Sequence, residues 1–159
     1  LIPIVVGSAL YGWGSGAWLG FVFGVTVLLT GDANLFLAVN IPGTIITVIL
    51  KGTLAGAAAG FVYKLISKKN QIAAVIVSAV VAPVVNTGIF VLGSYVFFFD
   101  YLSGLAEGTN LFVFILVGLV GINFFIELGI NLVLNPAILQ IIRIGKKNFG
   151  GKNQIIKTK

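Results

Sequence analysis

The stretch from Ile72 to Phe99 contains no charged side chain, and Leu111 to Ile144 contains only Glu127 and Arg143. A helix needs about 20 apolar residues to cross the hydrocarbon core of a bilayer, so each run is long enough to span one. The chain as a whole is 58% hydrophobic and 9% charged, with a mean hydropathy of +1.13. A soluble domain is about 25% charged, and so few charges cannot coat a globule of this size. The sequence therefore specifies an integral membrane protein of the all-α, polytopic helical-bundle class.

Composition removes several chemistries. The chain has no Cys and no His, which excludes a thiol nucleophile, an imidazole base, a disulfide and the usual zinc or haem ligands. No catalytic residue and no metal site is expected. There is no GxxxxGK[ST] loop, so the chain does not bind ATP through a P-loop of its own. The net charge of +6 is not a nucleic-acid signal, because the basic residues gather in two hydrophilic segments as membrane topology requires. The opening LIPIVV run lacks the charged start and cleavage site of a signal peptide. It reads instead as part of a membrane domain whose first helix is absent from this chain.

Five apolar segments are expected: Leu1 to Tyr11, Ala17 to Leu29 after a Gly-rich YGWGSG turn, Ile41 to Ile66, Ile72 to Phe99, and Leu111 to Ile144. Lys64, Lys68 and Lys69 separate the third and fourth. Arg143, Lys146, Lys147, Lys152, Lys157 and Lys159 crowd the C-terminus, whereas Asp32, Asp100 and Glu107 occupy the other two loops. The positive-inside rule places the basic segments in the cytoplasm and the acidic loops outside. A helix before Leu1 would complete six spans with both termini inside. The expected organisation is one transmembrane domain over residues 1–145 and a basic cytoplasmic tail over 146–159.

Small residues recur every four positions, as Gly12, Gly16, Gly20 and Gly24, as Gly52, Gly56 and Gly60, and more weakly as Ala74, Ser78 and Ala82. Such stripes let helix backbones approach closely in lipid. They serve either packing within the chain or the docking of a partner membrane protein. Lys51 lies about 15 Å into its helix at 1.5 Å per residue, and Glu127 lies at similar depth in the last segment. Facing lipid would cost either charge at least about 2.5 kcal/mol, so both should face the bundle interior, as a mutual ion pair or as contacts for a polar solute. Asn123, Glu127 and Asn131 share one helical face, as do Thr44, Thr47 and Lys51, and Asn86 and Thr87 follow Pro83. With Asp32, Asn34 and Asn40 in an outer loop, these stripes outline a pocket of mixed charge for a small polar solute. Asp32 and Asn34 also suit a turn cap.

The run IPIVVGSALYGWGSGAWLGFVFGVTVLL resembles the second and third helices of S components, the substrate-binding subunits of energy-coupling factor (ECF) vitamin transporters. IPGTIITVILKGTLAGAAAGFVYKLI is similar to their fourth helix and APVVNTGIFVLG to their fifth; the resemblance spans about residues 2 to 145. It implies a six-helix subunit of a bacterial plasma membrane that captures a vitamin from outside. It further implies a transmembrane scaffold partner and two cytoplasmic ATPases that use the ATP, with no cofactor bound by this chain. The family's first helix, which carries a small-residue scaffold contact, has no counterpart here. The TGDANLFLAVN and KGTLAG segments most resemble the pantothenate and hydroxymethylpyrimidine groups. Pantothenate is favoured, because Lys51 suits its carboxylate. The alternatives are a small secondary transporter or channel lined by Lys51 and Glu127, for which no inverted repeat is visible, and an intramembrane acid–base enzyme, for which the chemistry is thin.

Overall fold

A computed structural model describes residues 1–155, with side chains through Lys147. Lys157 and Lys159 lie outside the described residues, as does the side chain of Lys152. The described residues form helices joined by turns, with no strand. Helix α1 (Ile2–Tyr11) leads into α2 (Trp13–Thr30), followed by a short α3 (Asn34–Leu37) and the long α4 (Ile41–Ser67) and α5 (Gln71–Phe97). Then come α6 (Phe99–Leu105), α7 (Leu111–Val113), a π-helical segment (Phe114–Gly121), α8 (Ile122–Val133) and α9 (Asn135–Ile155). α2, α4, α5 and the continuous Leu111–Val133 unit are long and apolar enough to cross a membrane; α1 is too short.

Local sequence sets the boundaries. Of the YGWGSG turn, only Gly12 is non-helical, with φ of 96°, so α2 starts at Trp13 rather than near Ala17. Gly31 ends α2 in the left-handed conformation, φ 88°, which a residue without Cβ adopts cheaply. Asn40 and Asn70 cap α4 and α5, accepting hydrogen bonds from the Gly43 amide and from the Ile72 and Ala73 amides. The last apolar run is not one helix to Ile144. It breaks at Leu134, because Pro136 has no amide to offer the Leu132 carbonyl and its ring crowds that carbonyl, while proline is tolerated in the first turn of α9. α9 then continues past residue 145.

Packing is the reverse of a soluble core. Large apolar side chains such as Leu29, Ile122 and Val133 face outward, while Ala55, Ala59, Ala74, Ala79 and Ala82 are fully buried. α2 and α4 meet glycine to glycine. A Cβ on Gly16 or Gly56 would run into the other's carbonyl, and the same holds for Gly20 and Gly52. A Cβ on Gly24 would stand 2.8 Å from the Val48 carbonyl oxygen, and one on Gly60 2.6 Å from Trp13 Cα. Gly16, Gly20, Gly24, Gly52, Gly56 and Gly60 thus pack the two stripes against each other within the chain, the first of the two roles their spacing allows. Gly12 serves the turn, and a Cβ there would meet nothing.

α5 carries Pro83 inside it. Proline lacks the amide that would bond the carbonyl four residues back, which here is Ala79. The buried Asn131 of α8 supplies the missing donor, its Nδ2 lying 3.1 Å from the Ala79 oxygen. Asn131 is thus bound into the frame, and it pins α8 to α5. Around this frame lie two apolar cores. Val5, Ala9, Tyr63, Ala74, Val75, Ile138 and Ile142 close the end near the basic α4–α5 turn. Phe98, Leu102, Ile115 and Val120 close the opposite end.

Gly20→Leu and Gly56→Leu should each abolish a monodisperse folded protein on size exclusion in detergent, whereas Gly14→Ala, where a Cβ meets nothing, should not. Asn131→Ala should destabilise by about 1–3 kcal/mol, the range for orphaning a buried hydrogen-bonding group. That loss should shrink in a Pro83→Ala background, where the helix can bond its own carbonyl; equal losses in both backgrounds on denaturant titration would refute the Pro83–Asn131 link.

Candidate functional site

Between the two cores, α2, α4, α5 and α8 line a half-open cavity of about 520 Å³, within the 300–1,000 Å³ typical of small-molecule pockets. α4 presents Thr44, Thr47 and Lys51 to it, one face at spacings of three and four. α5 contributes Asn86, Thr87 and Phe90, beginning about one turn beyond Pro83. Asn123, Phe124 and Glu127 come from α8, Val27 from α2, and Asp32 and Phe36 from the α2–α4 connection. The π-helical segment supplies Leu119 and Val120; such segments are rare and frequent at functional sites.

The polar groups divide into those with a hydrogen-bond partner within the chain and those without one. The Thr44 hydroxyl donates to its own helix, 2.7 Å from the Asn40 carbonyl oxygen. Thr47 Oγ1 and Asn86 Oδ1 are buried without a hydrogen-bond partner. Unpaired buried acceptors are costly, and both of these sit on the cavity wall. Gly93 on α5 makes room for Thr47, whose side chain fills the space that a Cβ there would need.

Three charged side chains share the cavity: Asp32, Lys51 and Glu127. The Thr30 hydroxyl donates to Asp32 Oδ2 at 2.8 Å. Glu127 lies beside the Asn86 amide. The Lys51 ammonium stands over the Phe90 ring, 5.2 Å from its centroid, and among the described residues no carboxylate is within 4.0 Å of it. The strongest opposite charges acting on it are Glu127 and then Asp32, both across space. A direct Lys51–Glu127 ion pair is therefore not what holds these helices.

The cavity brings together Asp32, Thr47, Lys51, Asn86, Asn123 and Glu127. Thr44 and Thr87 also line it, whereas Asn131, Asn40, Asn34 and Glu107 stand outside it. Asn131 holds Ala79. Asn40 caps α4 and donates to the Phe97 carbonyl at 3.4 Å, bordering a separate small pocket. Asn34 is exposed and packs against the Gly31 turn. Glu107 is in a turn at φ 45° and does not line the cavity.

Sequence reasoning missed the aromatic wall. Phe36 packs edge-on against both Phe90 (centroids 5.4 Å apart) and Phe98 (5.0 Å). With 13 phenylalanines in the chain, nothing in the pattern marks Phe36 or Phe98. Phe90 alone carries a signal: it follows Asn86 by four residues, which puts it on the polar face of α5.

A model of the protein family described as "ECF transporter, substrate-specific component" matches residues 1–139. No curated protein and no solved structure matches the chain.

Proposed function

The chain belongs to the family of ECF transporter substrate-specific components, and from that premise we propose that it captures a small acidic vitamin, pantothenate first, with the neutral hydroxymethylpyrimidine next. The family makes it the substrate-binding subunit of an importer rather than an enzyme. The observation that carries the finer reading is one cavity lined both by an ammonium without a carboxylate partner among the described residues and by the polar groups of Asn86, Asn123 and Glu127.

Pantothenate has a carboxylate, an amide and two hydroxyls. Its carboxylate would take Lys51, whose charge is already removed from bulk water, so the interaction is stronger than at a surface. Its hydroxyls and amide N–H would find partners in Asn86, Asn123 and Glu127. Hydroxymethylpyrimidine would instead use the amides, Glu127 and the phenylalanine faces. The apolar core around Tyr63, Val75 and Ile142 lies beyond the cavity floor, an arrangement that favours a capture pocket over a continuous pore.

In this reading the cavity opens to the outside, at the end bearing Asp32 and Asp100. Lys64, Lys68, Lys69, Arg143, Lys146 and Lys147 face the cytoplasm of a bacterial cell. Residues from 146 onward extend the basic segment there as a tail. The partners are a transmembrane scaffold and two ATPases that supply the energy. With Gly16 to Gly24 and Gly52 to Gly60 buried against each other, the scaffold would meet a different face.

Equilibrium binding of the purified, detergent-solubilised chain to a panel of B vitamins and precursors should give saturable binding of pantothenate. Saturation only by hydroxymethylpyrimidine would transfer the assignment to that compound, and flux through the isolated chain in vesicles would favour the channel reading. Lys51→Ala should weaken pantothenate binding at least about 30-fold, as for loss of one partner of a buried charge pair, with a much smaller effect on a neutral ligand. Equal losses for both ligands would make Lys51 structural.

A further inference from the structure

We infer that Phe90 is a positioning residue: its ring, buttressed by Phe36, holds the Lys51 ammonium away from Glu127 and so reserves that cation for an anionic substrate group. The inference rests on the acid-binding reading of the same cavity, and it turns on how three charges coexist there without pairing.

Asp32, Lys51 and Glu127 line one half-open cavity, where the part-buried Lys51 and Glu127 attract more strongly than they would in bulk water. Left to themselves, a flexible lysine and a glutamate across a cavity would collapse into an ion pair, and the cation would be neutralised. Instead each acid has a polar neighbour of its own. Asp32 accepts from Thr30, and Glu127 lies beside the Asn86 amide. Among the described residues the contact of the Lys51 ammonium is the face of Phe90, at 5.2 Å. An aromatic face attracts an ammonium through its quadrupole and supplies no proton acceptor of its own. It therefore steadies the cation without neutralising it, and a substrate carboxylate can still approach.

The ring is itself fixed. Phe36 meets Phe90 edge-on, with an interplanar angle of 88°, and also meets Phe98 at 77°. These are favoured aromatic geometries, and they tie Phe90 on α5 to α3. The free cation is thus held by the tertiary packing of three separate segments, and the contact surface offered to it is uncharged.

The test compares wild type with Phe90→Leu, Phe90→Met and Phe90→Tyr, alone and with Lys51→Gln, after size exclusion to confirm folding. The first readout needs no ligand. A membrane-permeant carbodiimide joins an amine to a carboxylate only when the two touch, and peptide mass spectrometry detects the Lys51–Glu127 amide. Wild type and Phe90→Tyr should give little of it, while Phe90→Leu should give several-fold more. The second readout is the ratio of affinities for pantothenate and panthenol, the neutral alcohol that lacks the carboxylate. Phe90→Leu should reduce that preference about 10-fold, within the range of a desolvated cation–π contact. It should reduce it no further in the Lys51→Gln background, and Phe90→Tyr should retain it. Should Phe90→Leu fail to fold, Phe90→Met, which also lacks a ring, is read in its place.

An unchanged cross-link yield overturns the proposal, and so does an unchanged preference in a protein that binds pantothenate. If wild type binds neither compound, the acid-binding reading falls, and the cross-link alone then decides whether Phe90 keeps the two charges apart.

Discussion

The contact between α2 and α4 is where the architecture starts. Inside lipid, burying apolar side chains gives no net drive for two helices to associate, so close backbone approach and dispersion must supply it. Gly16 against Gly56 and Gly20 against Gly52 bring backbone directly against backbone along the seam. The consequence reaches beyond that pair. With its glycine face fixed on α2, α4 turns the adjacent face, with Thr44, Thr47 and Lys51, toward α5 and α8. The cavity exists because a glycine face lies beside a face of polar groups on the same helix.

Unpaired backbone groups form the second constraint. Pro83 costs α5 a hydrogen bond in the one environment where water cannot replace it, and Asn131 restores a donor to the freed carbonyl. This bond sets where α8 lies against α5, and Glu127 and Asn123, one and two turns before Asn131, are carried to the cavity with it. An asparagine that reads as a ligand contact in the sequence is instead the anchor that brings its neighbours to the site.

How much of this could be read in advance differs from residue to residue. The membrane class, three of the spans and the polar faces of α4 and α8 follow from charge scarcity and helical periodicity. Lys51, Glu127, Asn86, Thr47, Asn123 and Asp32 could be singled out because a polar group at membrane depth is expensive enough to need a reason. The same argument could not separate them from Asn131, since a side chain that satisfies a carbonyl and one that lines a cavity carry the same sequence signal. It also could not assign the glycine stripes, because a seam within the chain and a seam with a partner need the same spacing.

The sequence by itself determined that the chain lives in a bilayer, that its helices pack through small residues, and that charge is placed where lipid would not tolerate it unshielded. Those properties are local: they depend on run length, on period and on the transfer cost of individual side chains. The tertiary structure alone decided which stripe meets which, that Lys51 rests on Phe90 instead of pairing with Glu127, and that Asn123 lines the cavity while Asn131 is held by the Ala79 carbonyl. Those depend on the relative rotation of α4, α5 and α8, and rotation is fixed by contacts between residues distant in sequence, such as Gly20 with Gly52 and Asn131 with Ala79.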